Sequence, residues 1–310
     1  MTLGQLRTFH EVARAGSIRG AAAALVVSEP SVSAAVSSLG RDLGVQLLDR
    51  DGRGIRLTAA GRELAVYAAQ ILGLADRARR AVREAAGGIG QVRLVSVTTA
   101  GEYVLPPILA AFKKKRPDVQ ISLEVGNRAA AIERLLNDEA DLAVGGRPPS
   151  GNDIVGIPFL SNELVVVGHN DHPLKDKRSI DAVALSKETW LLREPGSGTR
   201  ETTEEFFALQ GIEPTSIMTV GSNGAIKQAA VVGLGVTLIS IHAVGRELRD
   251  GQLTHLKART TPLRRSWYAL HRAGAELPKS ARDFLDFLST DEAGRAVRRD
   301  PQLAAFVPIT

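Results

Sequence analysis

The 310-residue chain contains no cysteine, which excludes disulfides and thiolate metal sites. It also lacks a long apolar run. The longest nearly apolar stretch, Ala229 to Ile241, includes Gly233 and Gly235 and falls short of the roughly 20 residues a spanning helix needs. Leu3 to Val12 is broken by Gln5, Arg7, His10 and Glu11, so no apolar signal core starts the chain. These features predict a cytoplasmic protein with no membrane partner. The histidines (His10, His169, His172, His242, His255 and His271) are scattered, and no nucleophile–base–acid set or Walker loop is visible. His169 and His172 with Asp171 suggest a metal site at most weakly, since they precede Pro173 in a loop without a third ligand of the usual kind. The expectation is a protein that is not an enzyme and has neither metal nor cofactor.

What is present is ordinary for a soluble protein: 44% hydrophobic and 24% charged residues, in a chain long enough for two or three domains. The formal charge of +5 is compatible with nucleic acid or an acidic ligand.

Residues 17–58 carry the densest pattern. Ser17 is a good N-cap for a short helix with Ala21, Ala22 and Leu25 on one face. Ser28 caps a second helix, with Pro30 in the first turn where its missing N–H is not needed. Val32, Val36, Leu39 and Leu43 recur at helical spacing, and Gly44 supplies the left-handed stop. The outer face is Ser31, Ser33, Ala34, Ser37, Ser38 and Arg41. Beyond it, Arg50 to Arg56 reads as a hairpin with a glycine-rich tip whose arginines, Arg50, Arg53 and Arg56, are placed to meet phosphates. The candidate DNA contacts are therefore Ser17, Ser28, Pro30, Ser31, Ser33, Ala34, Ser37, Arg50, Arg53 and Arg56. An ordinary three-helix bundle is the alternative for the bare pattern.

The stretch resembles the N-terminal signature of the LysR-type transcriptional regulators. Carriers of the resemblance are Leu6, Phe9, Val12 and Ala13, then Gly16-Ser17, Ala21-Ala22, Leu25, Ser28, Pro30, Ser31, Ser33 and Leu39. Leu43-Gly44-Val45, Leu47-Leu48, Arg50, Leu57-Thr58 and Ala60-Gly61 complete it. One departure is Ala34-Ala35, where the family often has basic residues or Gln. Base reading would then fall to Ser33, Ser37, Ser38, methyl contacts or DNA shape. Thr58 to about Ala86 predicts a long helix with a stripe of Leu64, Tyr67, Ile71, Leu74, Ala78 and Ala81, coiled-coil-like and suited to a dimer contact, with packing on its own domain as the alternative. The resemblance assigns this position to the dimerising linker helix. It implies double-stranded DNA as partner and a homodimer or homotetramer, and leaves contact with RNA polymerase open.

Gly87-Gly88-Ile89-Gly90 is the best linker, and beyond it the pattern alternates between strands and helices. Strands are expected over 92–97, 119–125 and 141–145, with helices over 105–115 and 129–137 between them. The order recurs with strands at 190–192, 217–220 and 236–240 and helices at 199–210 and 225–232. Extended segments near 163–168 and 266–271 join the two units, and a helix over 279–288 returns to the first. The expected fold is an N-terminal all-α winged helix-turn-helix (1–57) with a long linker helix (58–88). A C-terminal α/β bilobal domain (89–310) of the type 2 periplasmic-binding-protein layout follows, which the resemblance also assigns. Lobe I would take about 91–163 and 267–303, and lobe II about 164–266.

Ligands of such sheets bind beyond the carboxyl ends of strands, at helix N-termini. The readable corners are Thr98-Thr99-Ala100, Asn127 with its neighbours, Gly145-Gly146-Arg147, Gly196-Ser197-Gly198-Thr199-Arg200 and Ser222-Asn223. Each has a purely structural use in capping or turning. Together they predict a cleft for a small anionic or polar metabolite, with Arg147 or Arg200 as countercharge. The loop from Glu194 to Arg200 also resembles that of the carbon-fixation and sulfur-assimilation branch of the family. A transport-associated solute-binding protein and an enzyme on the same lobes are the competing classes. The first is disfavoured by the DNA-binding pattern ahead of the lobes, the second by the scattered histidines.

Overall fold

The computed structural model describes residues 1–51 and 54–298, so Arg53 and the end of the first expected lobe, 299–303, lie outside the described residues. The chain forms two compact units, one of residues 1–87 with 136–139 and one holding the rest.

The first unit opens with α1 (Leu3–Ala15), α2 (Ile18–Leu25) and α3 (Glu29–Leu43). Local chemistry sets each boundary. Thr2 and Gln5 form a capping box on α1, Ser17 accepts from the Gly20 N–H at the start of α2, and Ser28 accepts from the Ser31 N–H at the start of α3. Gly16 and Gly44 end their helices in the left-handed region at φ 63° and 68°. A bend of 109° between α2 and α3 gives the helix-turn-helix geometry. Leu6, Phe9, Val12, Ala21, Val32, Val36 and Leu39 fill the core under it. The wing is the antiparallel hairpin of β1 (Leu48–Asp51) and β2 (Gly54–Leu57), with Leu48 opposite Leu57 and Arg50 opposite Ile55.

The long helix α4 (Ala59–Ala85) is capped by the Thr58 hydroxyl, which accepts from the Gly61 N–H at 2.9 Å. Its expected apolar stripe divides. Leu64 and Ile71, with Ala65 and Leu72, pack on the unit's own core, whereas Tyr67 and Leu74 are exposed together with Val66 and Val82. The cause is geometric: at 3.6 residues per turn a step of three falls about 60° short of a full turn, so Tyr67 and Leu74 lie to one side of the line through Leu64 and Ile71. Arg77 of α4 is buried and paired with Asp138 at 2.6 Å within this unit. No single helix among the described residues is long and apolar enough to cross a membrane.

The second unit is built on a seven-stranded sheet. Its parallel part is β3 (Gln91–Val97), β4 (Gln120–Gly126) and β5 (Leu142–Gly145), connected by α5 (Leu105–Lys115) and α6 (Arg128–Leu136). A π-helical turn, Ala100–Val104, runs directly into α5. The central β5 is buried throughout and β3 buries Val92, Leu94, Val95 and Ser96 beside half-buried Gln91 and Arg93, while β4 at the edge alternates. The basic run of α5 is largely committed: Lys113 donates to the Pro117 and Val119 carbonyls, Lys115 pairs with Glu292, and Arg116 pairs with Asp118 and Asp283.

Two long strands cross between the halves of this unit. They are β6 (Ile154–His169) and β11 (Leu263–Arg272), antiparallel to each other with a register irregularity at Trp267/Tyr268. In β6, alternation splits the buried run: Leu164 and Val166 join one core with Trp190 and Phe206, Val165 and Val167 another with Ile226 and Ile239. The second half holds α7 (Ala182–Ser186), β7 (Thr189–Leu192), α8 (Gly198–Gln210), β8 (Ser216–Thr219) and α9 (Asn223–Val231). It continues with β9 (Thr237–Ser240), α10 (Ile241–Arg249) and β10 (Leu253–Leu256). Two similar parallel units were the expectation. Instead β9 and β10 pair antiparallel with β6 in the shared sheet, and only β7 and β8 form a separate parallel pair. The chain then returns: α11 (Lys279–Leu288) packs Phe284 edge-on to Phe112 of α5 at 5.0 Å, and α12 (Asp291–Arg298) follows.

Candidate functional site

Two surfaces concentrate polar chemistry. The first is the outer face of α3, where Ser31, Ser33, Ala34 and Ser37 are exposed and Val32, Val36 and Leu39 point into the core. Ser28 and Ser31 join their hydroxyls at 2.8 Å at the helix start, and Pro30 occupies the first turn. Ser38 accepts from the Gln5 amide at 3.2 Å, which ties α3 to α1. On the wing, Arg56 is exposed on β2 and Arg50 lies on β1. Ser17 serves as the α2 cap.

The second surface is a cavity of about 440 Å³ in the second unit, between the carboxyl ends of β3, β4 and β5 and the start of α8. Of the residues expected there, Thr98, Thr99, Asn127, Arg147, Ser197, Gly198 and Thr199 line it. Asn127 also caps α6 by accepting from the Ala130 N–H at 2.9 Å. Ser197 is the N-cap of α8, yet its hydroxyl makes no capping bond. The helix therefore begins with the N–H groups of Gly198, Thr199 and Arg200 lacking helical acceptors, which is the arrangement that favours an anion.

Five expected residues fall elsewhere. Ala100 is fully buried in the core beside Val104 and Leu105, because the π-helical turn points it away from the cleft. Gly196 makes a left-handed turn at φ 82° behind the helix start and does not line the cavity. Ser222 caps α9 by accepting from the Ala225 N–H. Arg200, one expected countercharge, turns along the outside of α8 to pair with Glu204 at 2.7 Å and to donate to the Arg193 carbonyl at 3.1 Å. Asn223 sits behind the cavity wall, fully buried.

The charge comes from the expected Arg147 together with four arginines that were not singled out in the sequence as countercharges. Five arginines line the cavity (Arg128, Arg147, Arg193, Arg264 and Arg265) against two carboxylates, Glu201 and Glu205, so its field is positive. Arg128 pairs with Glu201 at 3.4 Å and Arg265 with Glu205 at 3.1 Å, whereas Arg147 has no ion pair among the described residues. Arg193 is 4% exposed and held on three sides. It forks onto Glu194 at 2.8 and 2.9 Å, donates to Asn223 Oδ1 at 2.6 Å, and reaches Thr98 Oγ1 at 3.4 Å. Burial alone would raise the Glu194 pKa, but the hydrogen bonds from Arg193 outweigh it and hold this carboxyl below its ordinary value. The one local signal for Arg193 was its place directly after β7, at the carboxyl end of a strand.

A winged helix-turn-helix and a two-lobed polar cavity on one chain define a ligand-responsive DNA-binding protein. The chain belongs to the lysR family of bacterial regulatory helix-turn-helix proteins, matched over residues 3–62, and residues 85–292 match the LysR substrate binding domain. It is thus a transcriptional regulator of the LysR type. It is 37% identical to the HTH-type transcriptional activator CmpR of Synechocystis sp., over 94% of this chain and 96% of that one. To the RuBisCO operon transcriptional regulator of Allochromatium vinosum it is 35% identical, over 94% and 97%. The regulatory domain of CcmR from Synechocystis PCC6803, solved in complex with 2-PG, is 36% identical and superposes with a TM-score of 0.62, covering 68% of this chain and 99% of that one.

Proposed function

We propose that this regulator senses a small anion, a phosphorylated carboxylate of the 2-phosphoglycolate kind, in the cavity between its two lobes. The observation that carries this is the start of α8, where Ser197, Gly198 and Thr199 present unengaged donors to a cavity with five arginines and two carboxylates. The 2-PG-bound relative supports the choice of ligand class. We take lobe I as about 91–163 and 267–303 and lobe II as about 164–266, with residues 1–57 for DNA and 58–88 as the linker helix. Anion occupancy biases the arrangement of the lobes, and the linker helices of a homodimer convey that bias to paired DNA-binding domains. The face of α4 bearing Tyr67, Leu74 and Val82 supports a second copy as the occupant. Higher assembly to a tetramer is compatible with this arrangement. The protein acts on chromosomal DNA, hence in the cytoplasm, and the cavity binds without catalysing, as the names of its relatives imply.

Calorimetry with 2-phosphoglycolate, inorganic phosphate and sulfate tests the reading. Wild type should bind at least one of these, and Thr199→Val should bind it about tenfold more weakly or worse, through loss of one charge-assisted hydrogen bond. Absence of binding by all three would overturn the anion assignment. Genomic footprinting should locate discrete sites, and Arg56→Ala should reduce affinity for every sequence while lowering the salt dependence.

A further inference from the structure

The hydrogen bonds behind the cavity run in one direction. Arg193 Nη1 lies 2.6 Å from Asn223 Oδ1, and a guanidinium can only donate, so the amide oxygen must face it. That settles the amide orientation, which coordinates alone do not. Asn223 Nδ2 then faces Thr99 Oγ1 at 2.9 Å and donates to it. The Thr99 hydroxyl is thereby made an acceptor toward Asn223, and its own hydrogen has no acceptor among the described residues. It makes no helix-capping bond, although it immediately precedes the π-helical turn. Thr98 beside it differs, since its hydroxyl donates to the Gly126 carbonyl and so has no hydrogen left for a ligand. Asn223 itself is fully buried and does not line the cavity, whereas Thr99 does.

We infer that Asn223 is a positioning residue that makes the Thr99 hydroxyl a donor aimed at the effector, through the relay Arg193 to Asn223 to Thr99. This inference rests on the anion reading of the cavity. The relay also spans the lobes, since Arg193 and Asn223 follow β7 and begin α9 while Thr99 follows β3. A ligand oxygen accepting from Thr99 completes a chain that starts on the opposite lobe, so anion binding and lobe contact reinforce one another.

The decisive variant is Asn223→Asp. It preserves size and satisfies Arg193, but a carboxylate cannot donate, so Thr99 would turn its hydrogen inward and lose it for the ligand. The added charge also repels an anion, and a double-mutant cycle removes that contribution. Affinity for 2-phosphoglycolate, or for inorganic phosphate if that binds better, is measured by calorimetry for wild type, N223D, T99V and the double variant. N223D should weaken binding about tenfold more in the wild-type background than in the T99V background, where no hydroxyl remains to be misdirected. Equal effects in the two backgrounds would overturn the relay while leaving the anion reading intact. A wild type that binds none of the anions would overturn both. Thr99→Ser, which keeps the hydroxyl, should retain wild-type affinity. Crystallography of the wild type with the anion supplies a check that no folding defect can obscure. Thr99 Oγ1 should lie within hydrogen-bond distance of an anion oxygen while still accepting from Asn223 Nδ2. An anion held by Asn223 itself, or out of reach of Thr99, would refute the inference.

Discussion

The Lys227 ammonium lies 2.7 Å from a Glu247 carboxylate oxygen, and both side chains are almost wholly withdrawn from water. It also stands 5.0 Å above the ring of Tyr103, which packs on the core formed by α9 and α10 although it belongs to the π-helical turn of the other lobe. Burial alone would lower the Lys227 pKa, but its bond to Glu247 and the neighbouring Tyr103 outweigh that and raise it. With both partners withdrawn from water, removing one member strands the other. Lys227→Met should cost about 3 to 5 kcal/mol in urea denaturation, and adding Glu247→Leu should recover most of it. If the single variant cost under about 1 kcal/mol, the pair would be solvated in solution.

His242 begins α10 beneath the crossing strands, with its ring edge-on to Trp267 and against Ser240, which in turn donates to Asn162. Burial pushes its pKa down to about 4 from an ordinary value of 6.5. The unfolded chain therefore binds this proton more readily than the folded one. Its neutral form costs the fold nothing above pH 6.5. Stability is lost as the pH falls from there toward 4, by about 1.4 kcal/mol per unit, up to roughly 3 kcal/mol. His255, whose pKa is also lowered by burial and then by Lys257, adds in the same direction. Melting curves between pH 7 and 5 should be flatter for His242→Gln than for wild type. An unchanged slope would mean that water reaches the imidazole.

Much of this was legible locally. The sequence readings of α3, α5 and α11 needed only punctuation such as Ser28, Pro30 and Gly44 around a helical apolar stripe. Other features had no local mark. The helix α10 starts without a break after β9, because Ser240 ends the strand and caps the helix through the His242 N–H, so no glycine, proline or loop separates the two. Arg193 acquires its role from Asn223, 30 positions later, and Thr98, 95 earlier, and no window of sequence joins them. Arg200 failed as a countercharge for the converse reason. It neighbours the glycine-rich turn in sequence, but the helical rotation sets it on the face of Glu204.

Val26 closes α2 in the left-handed region, at φ 57° and ψ 46°, with its side chain 90% exposed. A β-branched residue pays about 1–2 kcal/mol in that conformation and here gains no packing in return. Val26→Asn should therefore stabilise the DNA-binding unit by about 1 kcal/mol, since Asn enters this region readily and the Val26 N–H bond to the helix end is kept. Val26→Gly should help less, because glycine loses more freedom on folding. Urea midpoints of the three proteins decide it. A destabilised Asn variant would show that the exposed isopropyl group has a use the relaxed turn does not serve.

The division of the α4 stripe separates folding from assembly. Ile71 packs on the core of its own unit, so Ile71→Glu buries a charge there and should unfold the DNA-binding unit, with monomer only as a consequence. Leu74 is 52% exposed, and Tyr67 and Val82 lie seven and eight positions away on the same side, also exposed. A charge at that point is harmless to an isolated chain and costly against a second copy of the same face. Leu74→Glu should leave far-ultraviolet circular dichroism and the thermal midpoint of the dilute protein nearly unchanged. It should also shift sedimentation from dimer toward monomer and weaken specific DNA binding, because two half-sites are no longer engaged together. If Leu74→Glu stays fully dimeric at low micromolar concentration, the linker helix does not hold the copies together through this face. If instead it melts as readily as Ile71→Glu, Leu74 belongs to the fold and the outer stripe is not a separate surface.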